Sequence, residues 1–445
     1  MYSLKLKLEM ISPLFMYGAG KKGKPEVRLT EFKGLMRFWW RAVRALDDIN
    51  ALKNEEIKIF GGISEKESIK SPIKLSIKGA GDNETAENLE EEIKRCVSKN
   101  AEQNSKAVMY LLYSVYSIRK LPFYKWGGNF ELTVTGKNRE AFKKAAASLW
   151  CLIYLGGVGM RSRRGAGNLA VIDAEGDSFG LEFMSTVESP EEMAGWIVEN
   201  FNRVRDIIGI PPNFCYSYSN LSFSRFIISA RPFNTWVEAL EDIGKYYMKF
   251  RKENVRRIES GVFGLPVVHG MRSKKRTTIS GIRHRGDGGR GNSFNRRPSP
   301  LIIKVIKNGK LFYWLAIRLS GEFLPEGAVL EWNGETKKPS YSIIDEFWAD
   351  LKEGGNEYIL SNPKRLDKIK EELISKLQPT KIVLFGSRAR GDAGRKSDID
   401  IGVETARPLA SVELLDVDLL NLNSINESFR EAVEREGVVL YERQA

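Results

Sequence analysis

The apolar positions of the first 180 residues change period in a definite order. Leu4, Leu6, Leu8 and Met10 alternate with Lys5, Lys7 and Glu9, the two-residue period of a half-buried strand. A loop rich in Gly and Lys follows from Tyr17. Thr30 then offers an N-cap to a helix with Phe32, Leu35, Met36, Trp39, Val43 and Leu46 along one face, and Lys33, Arg37, Arg41 and Arg44 on the other. The turn Phe60-Gly61-Gly62 leads to a strand over 73–77, and the polar stretch 81–108 reads as a helical insertion. Phe130, Leu132 and Val134 mark another strand. A helix over about 140–155 stops at Gly156-Gly157, where glycine would relieve a left-handed C-terminal conformation, and a strand over 169–172 follows. Strand, helix, two strands, helix, strand is the order of a ferredoxin-like unit, placed at 1–180.

A weaker second cycle follows. Residues 189–208 read as a helix, 222–229 as a strand and 234–256 as a long helix. Strands over 302–306 and 312–319 flank the turn Asn308-Gly309. This pattern predicts a second ferredoxin-like unit over 181–335, a linker with a connecting helix over 336–364, and a small α/β module over 365–445. The expected fold class is therefore α+β.

Composition narrows the function classes. No apolar run reaches membrane-spanning length and the N-terminus alternates, so the expectation is a cytoplasmic protein with no membrane partner. Cys96, Cys151 and Cys215 lack metal-site spacing, and His269 and His284 are the only histidines. The net charge of +13 is unevenly placed. Residues 365–445 hold 13 Lys+Arg against 15 Asp+Glu, whereas 1–364 hold 57 against 42. A surplus confined to the front part suits a polyanionic partner, since each neutralised phosphate releases counterions.

Two basic stretches give that surplus a form. Residues 156–167 set Arg161, Arg163 and Arg164 among five glycines, after a helix. Glycine lets backbone approach phosphate closely, and arginine adds bidentate contacts and stacking. Residues 271–297 carry nine Lys+Arg, including Arg276, Arg296 and Arg297, against Asp287 alone, and their glycines predict a mobile loop that orders on nucleic acid. Trp40, off the apolar helix face, is a candidate for base stacking or subunit packing, with plain packing in the core as the alternative.

The run Thr30-Glu31-Phe32-Lys33-Gly34-Leu35-Met36-Arg37-Phe38-Trp39-Trp40-Arg41 resembles the signature of the Cmr-type first RAMP subunit of type III-B CRISPR effector complexes. Ile11-Ser12-Pro13-Leu14, Phe60-Gly61-Gly62, the 157–167 loop and Arg296-Arg297-Pro298-Ser299-Pro300-Leu301 resemble that family in the same order, so the likeness spans about 1–335. It implies two ferredoxin-like units, a place at the crRNA 3′ region beside other RAMP subunits, and contact with crRNA and target RNA. It implies no catalysis and no cofactor for this part. Lys33, Arg37, Arg161, Arg163 and Arg164 become the foremost RNA-contact candidates, with Trp40, Arg41, Arg276, Arg296 and Arg297 behind them.

The last module carries different chemistry. An apolar strand over 382–385 runs into Gly386-Ser387, and Asp398-Ile399-Asp400 comes ten residues later. Two carboxylates two apart on a strand share a face and suit shared metal ions. Gly386, Ser387, Arg388 and Arg390 are candidate nucleotide-binding residues. This resembles the minimal nucleotidyltransferases of the DNA polymerase β superfamily over about 365–445. The resemblance implies Mg²⁺ and a nucleoside triphosphate, with Asp398, Asp400 and a third carboxylate as catalytic and metal-binding residues. Asp418 matches that third position best, with Asp416 as the alternative. One departure stands out: the helix that normally precedes the third-carboxylate strand has only 405–415 to occupy, with Pro408 inside. Three functions therefore compete. The chain is an RNA-binding subunit with a fused transferase-like module, a transferase that recruits through its RAMP part, or an endoribonuclease using His269.

Overall fold

The computed structural model describes all residues except 19–22, 64–66, 97–104, 119, 270–276, 285–289, 413 and 444–445. The first unit comprises β1 (Tyr2–Met10), α1 (Leu29–Arg44), α2 (Ile49–Phe60), β2 (Ile73–Lys78), β3 (Asn129–Gly136), α3 (Arg139–Tyr154) and β4 (Leu169–Gly176). Its strands lie antiparallel in the order β2-β3-β1-β4, the ferredoxin-like arrangement. Leu4, Leu6, Leu8 and Met10 are all buried, as their alternation requires. α1 starts just before Thr30, with Arg28 at the N-cap and no side-chain cap. Gly156 serves close packing rather than a left-handed turn, because a Cβ there would lie 2.6 Å from Trp39 Nε1.

After α4 (Pro190–Ile208), the second unit comprises β5 (Asn220–Ser229), α5 (Trp236–Glu253), β6 (Leu301–Asn308), β7 (Leu311–Ser320), α6 (Ser342–Lys352) and β8 (Gly355–Ser361). The order β6-β7-β5-β8 repeats the first sheet. The stretch expected as a linker over 336–364 thus supplies the second helix and an edge strand of this unit, with Tyr358 opposite Phe226. The reason is burial: Ile343, Ile344, Phe347, Trp348 and Leu351 give α6 an apolar face that solvent would penalise. Every residue of β5 is buried. Leu221, Phe226 and Ile228 join the core of the first unit, while Ile227 faces Trp236, Phe347 and Trp348. Two buried clusters, each with residues from both units, join them: Leu4, Trp39 and Leu315 in one, Phe15, Ala166 and Trp348 in the other.

The insertion is helical over Leu89–Cys96 and Lys106–Leu111, and Glu241 on α5 accepts hydrogen bonds from the Ala107 and Val108 amides at 3.0 and 2.9 Å. The described part of the basic stretch is not a loose loop. Thr277–His284 pairs with Arg290–Phe294 and with Ala328–Trp332 in a small sheet, anchored by buried Ile279 and Ile282. No helix among the described residues is long and apolar enough to cross a membrane.

The last module comprises α7 (Lys364–Leu377), β9 (Lys381–Phe385), α8 (Gly386–Arg390), β10 (Ile399–Glu404), β11 (Val417–Asn421), α9 (Glu427–Glu436) and β12 (Val438–Glu442). The order is β11-β10-β9-β12, with β10 and β11 parallel. Among the described residues of the crossover between these two strands there is a 3-10 turn at Leu409–Ser411 and no longer helix, so the sheet closes through a loop. Leu366, Ile369, Leu373 and Leu377 of α7 pack on Ile382, Leu384, Ile399 and Ile401. Phe214 and Phe223, from the body of the protein, complete this core.

Candidate functional site

The glycine-arginine loop sits where three sequence-predicted segments meet. The Arg163 guanidinium lies 5.2 Å from the centre of the Phe38 ring on α1 and donates to the Ser299 carbonyl, just after Arg296-Arg297-Pro298. Glu31, also on α1, accepts from the Gly159 amide at 2.6 Å. α1, the loop and the segment entering β6 therefore form one locus.

Inside that locus the arginines are poor in anionic partners. Arg164 is buried and donates to the carbonyls of Arg163 (2.8 Å), Leu301 (2.9 Å) and Phe263 (2.7 Å). Arg161 Nε is buried without a hydrogen-bond partner among the described residues. Desolvation, reinforced by Arg164, lowers both Arg161 and Arg163 to about 10. Burial alone would raise Tyr247, yet the guanidiniums of Arg164, Arg251 and Arg161 bring its hydroxyl below its ordinary value. Among the described residues, no carboxylate forms a salt bridge with Arg161, Arg163 or Arg164, and each of Arg161 and Arg163 is further disfavoured by its arginine neighbour. Lys33 is half-buried and lowered by burial and by Arg37. Arg296 is exposed, and Arg297 lies 5.4 Å over the Phe294 ring. Arg276 lies outside the described residues.

Four RNA-contact candidates are corrected. Trp40 is fully buried, because α1 is covered on a second side by β5 and cannot present a stacking face. Arg37 and Arg41 share the Glu56 carboxylate at 2.7 and 2.6 Å. Arg37 also donates to the carbonyls of Phe60 and Gly61 at 2.8 and 2.6 Å, so these two arginines pin the Phe60-Gly61-Gly62 turn. Glu56 is the partner that sequence reading missed. Arg164, as a clamp on three carbonyls, is likewise unavailable to a phosphate in this arrangement.

In the last module β10 places Asp400 directly opposite Asp418 on parallel β11, so their side chains leave the sheet on one face. Desolvation, Asp418 and Asp398 raise the Asp400 carboxyl above its ordinary value, against Arg390 and Arg388. The three carboxylates thus share one electrostatic neighbourhood. Gly386 has φ 69°, and a Cβ there would lie 2.2 Å from Asp400 Oδ2, so glycine is required for the strand turn to reach the carboxylate. Ser387 follows it, half-buried. Asp416 is drawn aside by Arg365 at 3.5 Å, which favours Asp418 as the third carboxylate. Among the described residues, no three His, Cys, Asp or Glu groups are gathered closely enough to hold a metal ion. The donor chemistry fits nonetheless: hard carboxylate oxygens in mutual repulsion are what a divalent cation relieves.

Arg388 is corrected as a nucleotide ligand. It is buried over the Phe214 ring at 5.0 Å, donates to the Ser397 carbonyl at 2.6 Å, and is lowered by desolvation. Arg390 stays near the carboxylates, with Nε 3.4 Å from Asp392. Sequence reading also missed Arg225 and Arg318, although an arginine inside an otherwise apolar strand was a visible signal.

A double ferredoxin-like body followed by a strand-glycine-serine and D-x-D sheet defines a RAMP-type protein with a nucleotidyltransferase domain. Family models agree: the RAMP superfamily matches residues 7–170 and the nucleotidyltransferase domain matches 366–440. CRISPR system Cmr subunit Cmr1-2 of Pyrococcus furiosus is 32% identical over 186 residues, 38% of this chain and 96% of that protein. Subunit Cmr1-1 of the same organism is 25% identical over 356 residues, 75% of this chain and 93% of that protein. The chain belongs to the Cmr1 family of CRISPR system Cmr subunits. The crystal structure of Pyrococcus furiosus Cmr1 in its apo form shares the fold, with TM-score 0.54 at 24% identity over 81% of this chain and 99% of that one.

Proposed function

We propose that this chain is an RNA-binding subunit of a type III-B Cmr effector, acting in the cytoplasm. It holds the crRNA 3′ region and target RNA beside other RAMP subunits, and carries a Mg²⁺-dependent nucleotidyltransferase module. The observation that carries the RNA reading is the Arg163 locus, where α1, the glycine-arginine loop and the 296–299 segment meet, and where burial and Arg164 both disfavour the Arg163 charge. Phosphate would supply the missing anions there. Arg161, Arg163, Lys33, Arg296 and Arg297 are the residues assigned to it.

In the transferase module, Asp398, Asp400 and Asp418 would hold the metal, and Gly386 and Ser387 would receive the triphosphate, with Arg390 beside them. Bound Mg²⁺ would supply charge neutralisation at the attacking and leaving oxygens. The chain's own contributions are positional. Gly386 keeps the strand turn against Asp400, and the β10–β11 register keeps Asp400 and Asp418 on one face. A packing role suits His269 better than a general-base role: among the described residues its Nε2 is buried without a partner, and its ring packs on Trp332 at 4.9 Å.

The test is Asp398→Ala with Asp400→Ala in the full chain. Binding of guide–target RNA should stay at the wild-type level while labelling from radioactive ATP in Mg²⁺ disappears. A wild type that transfers no nucleotide from ATP, GTP, CTP or UTP in Mg²⁺ or Mn²⁺ contradicts the enzymatic half.

A further inference from the structure

We infer that Arg225 and Arg318, two buried arginines of the second ferredoxin-like unit, are positioning residues for the nucleotidyltransferase loop. This rests on the transferase reading above and deepens it, because the loop that would grip the nucleotide is held from outside its own domain.

α8 is five residues long, so its last carbonyls have no continuing helix to satisfy them. The body of the protein does so instead. Arg225 Nη2 donates to the Ala389 carbonyl at 3.3 Å, and Arg318 Nη2 to the Arg390 carbonyl at 2.6 Å. The Gly321 amide donates to the Gly391 carbonyl at 2.9 Å. The Asp392 carboxylate accepts from the Tyr341 amide at 2.6 Å. Four successive residues, 389–392, are fastened to the second unit within a few residues of Gly386, whose backbone lies against Asp400.

The two arginines are themselves fixed. They are 2% and 3% exposed. Arg225 Nη1 donates to Glu357 Oε1 at 2.9 Å, and Arg318 is hydrogen-bonded to Asp345. Burying such a cluster is in general no more stabilising than apolar packing of the same volume. Its distinctive consequence here is a rigid pair of donors aimed at one loop. Since α8 is a single short turn, displacement at Ala389 or Arg390 is transmitted to Gly386 and Ser387. The transferase site is thereby built on the RAMP body rather than tethered to it.

The experiment uses the full chain and ATP with Mg²⁺ as the probe, read by calorimetric titration, with guide–target RNA affinity and amide exchange over 386–391 measured in parallel. Arg318→Lys keeps the charge beside Asp345 but loses the fork that reaches Arg390. ATP affinity should fall by about 10- to 100-fold, as when an outer partner orienting a ligand-holding group is removed. Exchange should rise over 386–391, while RNA affinity holds. Unchanged ATP affinity with unchanged exchange overturns the inference. If Arg318→Lys also loses RNA binding, it has unfolded. Gly391→Ala then decides, since it leaves both arginines intact and sets a methyl 2.8 Å from Ser320 Oγ, at a position with φ 80°. The same ATP and exchange pattern in Gly391→Ala supports the inference, and wild-type behaviour overturns it. A wild type that binds no ATP removes the transferase reading itself, whereas binding that both variants share removes this inference alone.

Discussion

Arg161 and Arg164 stand three apart in one loop, and the structure assigns them opposite roles. Arg164→Ala removes donors to the carbonyls of Leu301 and Phe263 and a guanidinium 5.0 Å over the Tyr247 ring. Each buried carbonyl left without a donor costs about 1–3 kcal/mol. The lost cation–π contact adds about 0.5–2 kcal/mol. Relief of the buried charge offsets part of this, which leaves about 3–5 kcal/mol, the range for breaking a buried charged network. At about 2–4 °C per kcal/mol, the melting temperature should fall by several degrees or more. Arg161→Ala removes a guanidinium whose Nε has no partner among the described residues and whose surroundings already disfavour its charge. Its melting temperature should hold or rise, while RNA affinity falls and the log–log salt slope shrinks by about 0.7 for a single strand. The assay is thermal unfolding followed by tryptophan fluorescence, paired with RNA titrations at several salt concentrations. A stable Arg164→Ala that loses RNA, beside a destabilised Arg161→Ala that keeps it, would refute the assignment.

Two further outcomes follow from titration. Asp400 is raised by burial and by its carboxylate neighbours, so the folded state favours its protonated form. Its unfavourable contribution therefore grows as pH rises from the ordinary carboxylate range, and is fully present above the raised value. Asp400→Asn should melt higher than wild type without Mg²⁺, and Mg²⁺ should stabilise wild type but not the variant; equal responses to Mg²⁺ would contradict this. Lys304 is fully buried, donates only to the Ile153 carbonyl among the described residues, and is lowered to about 7 by desolvation. Its penalty is complete below the folded value and fades as pH rises towards the unfolded one. Wild type should therefore gain on Lys304→Met by about 1.4 kcal/mol per pH unit between those limits, as followed by denaturant unfolding, and a pH-independent difference would refute it.

Much of the architecture was legible because its signals are local. Alternation in β1 and the helical spacing of α1 and α3 each name an element, and element order names the ferredoxin-like repeat. The strand that carries Asp400 and the glycine turn at Gly386 were legible for the same reason, being short-range constraints, although Asp398 lies just before that strand rather than on it. What escaped were facts of tertiary contact. Trp40 lies off the first apolar face of α1, and only β5, almost 190 residues away in sequence, makes that second face a core. Arg37, Arg41 and Arg388 read as free cations because Glu56, Phe214 and the Ser397 carbonyl, which hold them, are set by packing. The supposed linker was misread because β8 pairs with a strand that ends more than 120 residues earlier.

Photo-crosslinking of the purified chain to a guide–target RNA at low salt, with the attached peptides identified by mass spectrometry, tests whether the cations of the front part act at one RNA track. Attachment is expected within 157–167 and within 294–301 on the same bound RNA, both lost in high salt. Failure to bind at low salt, or attachment confined to surfaces away from both segments, would contradict it.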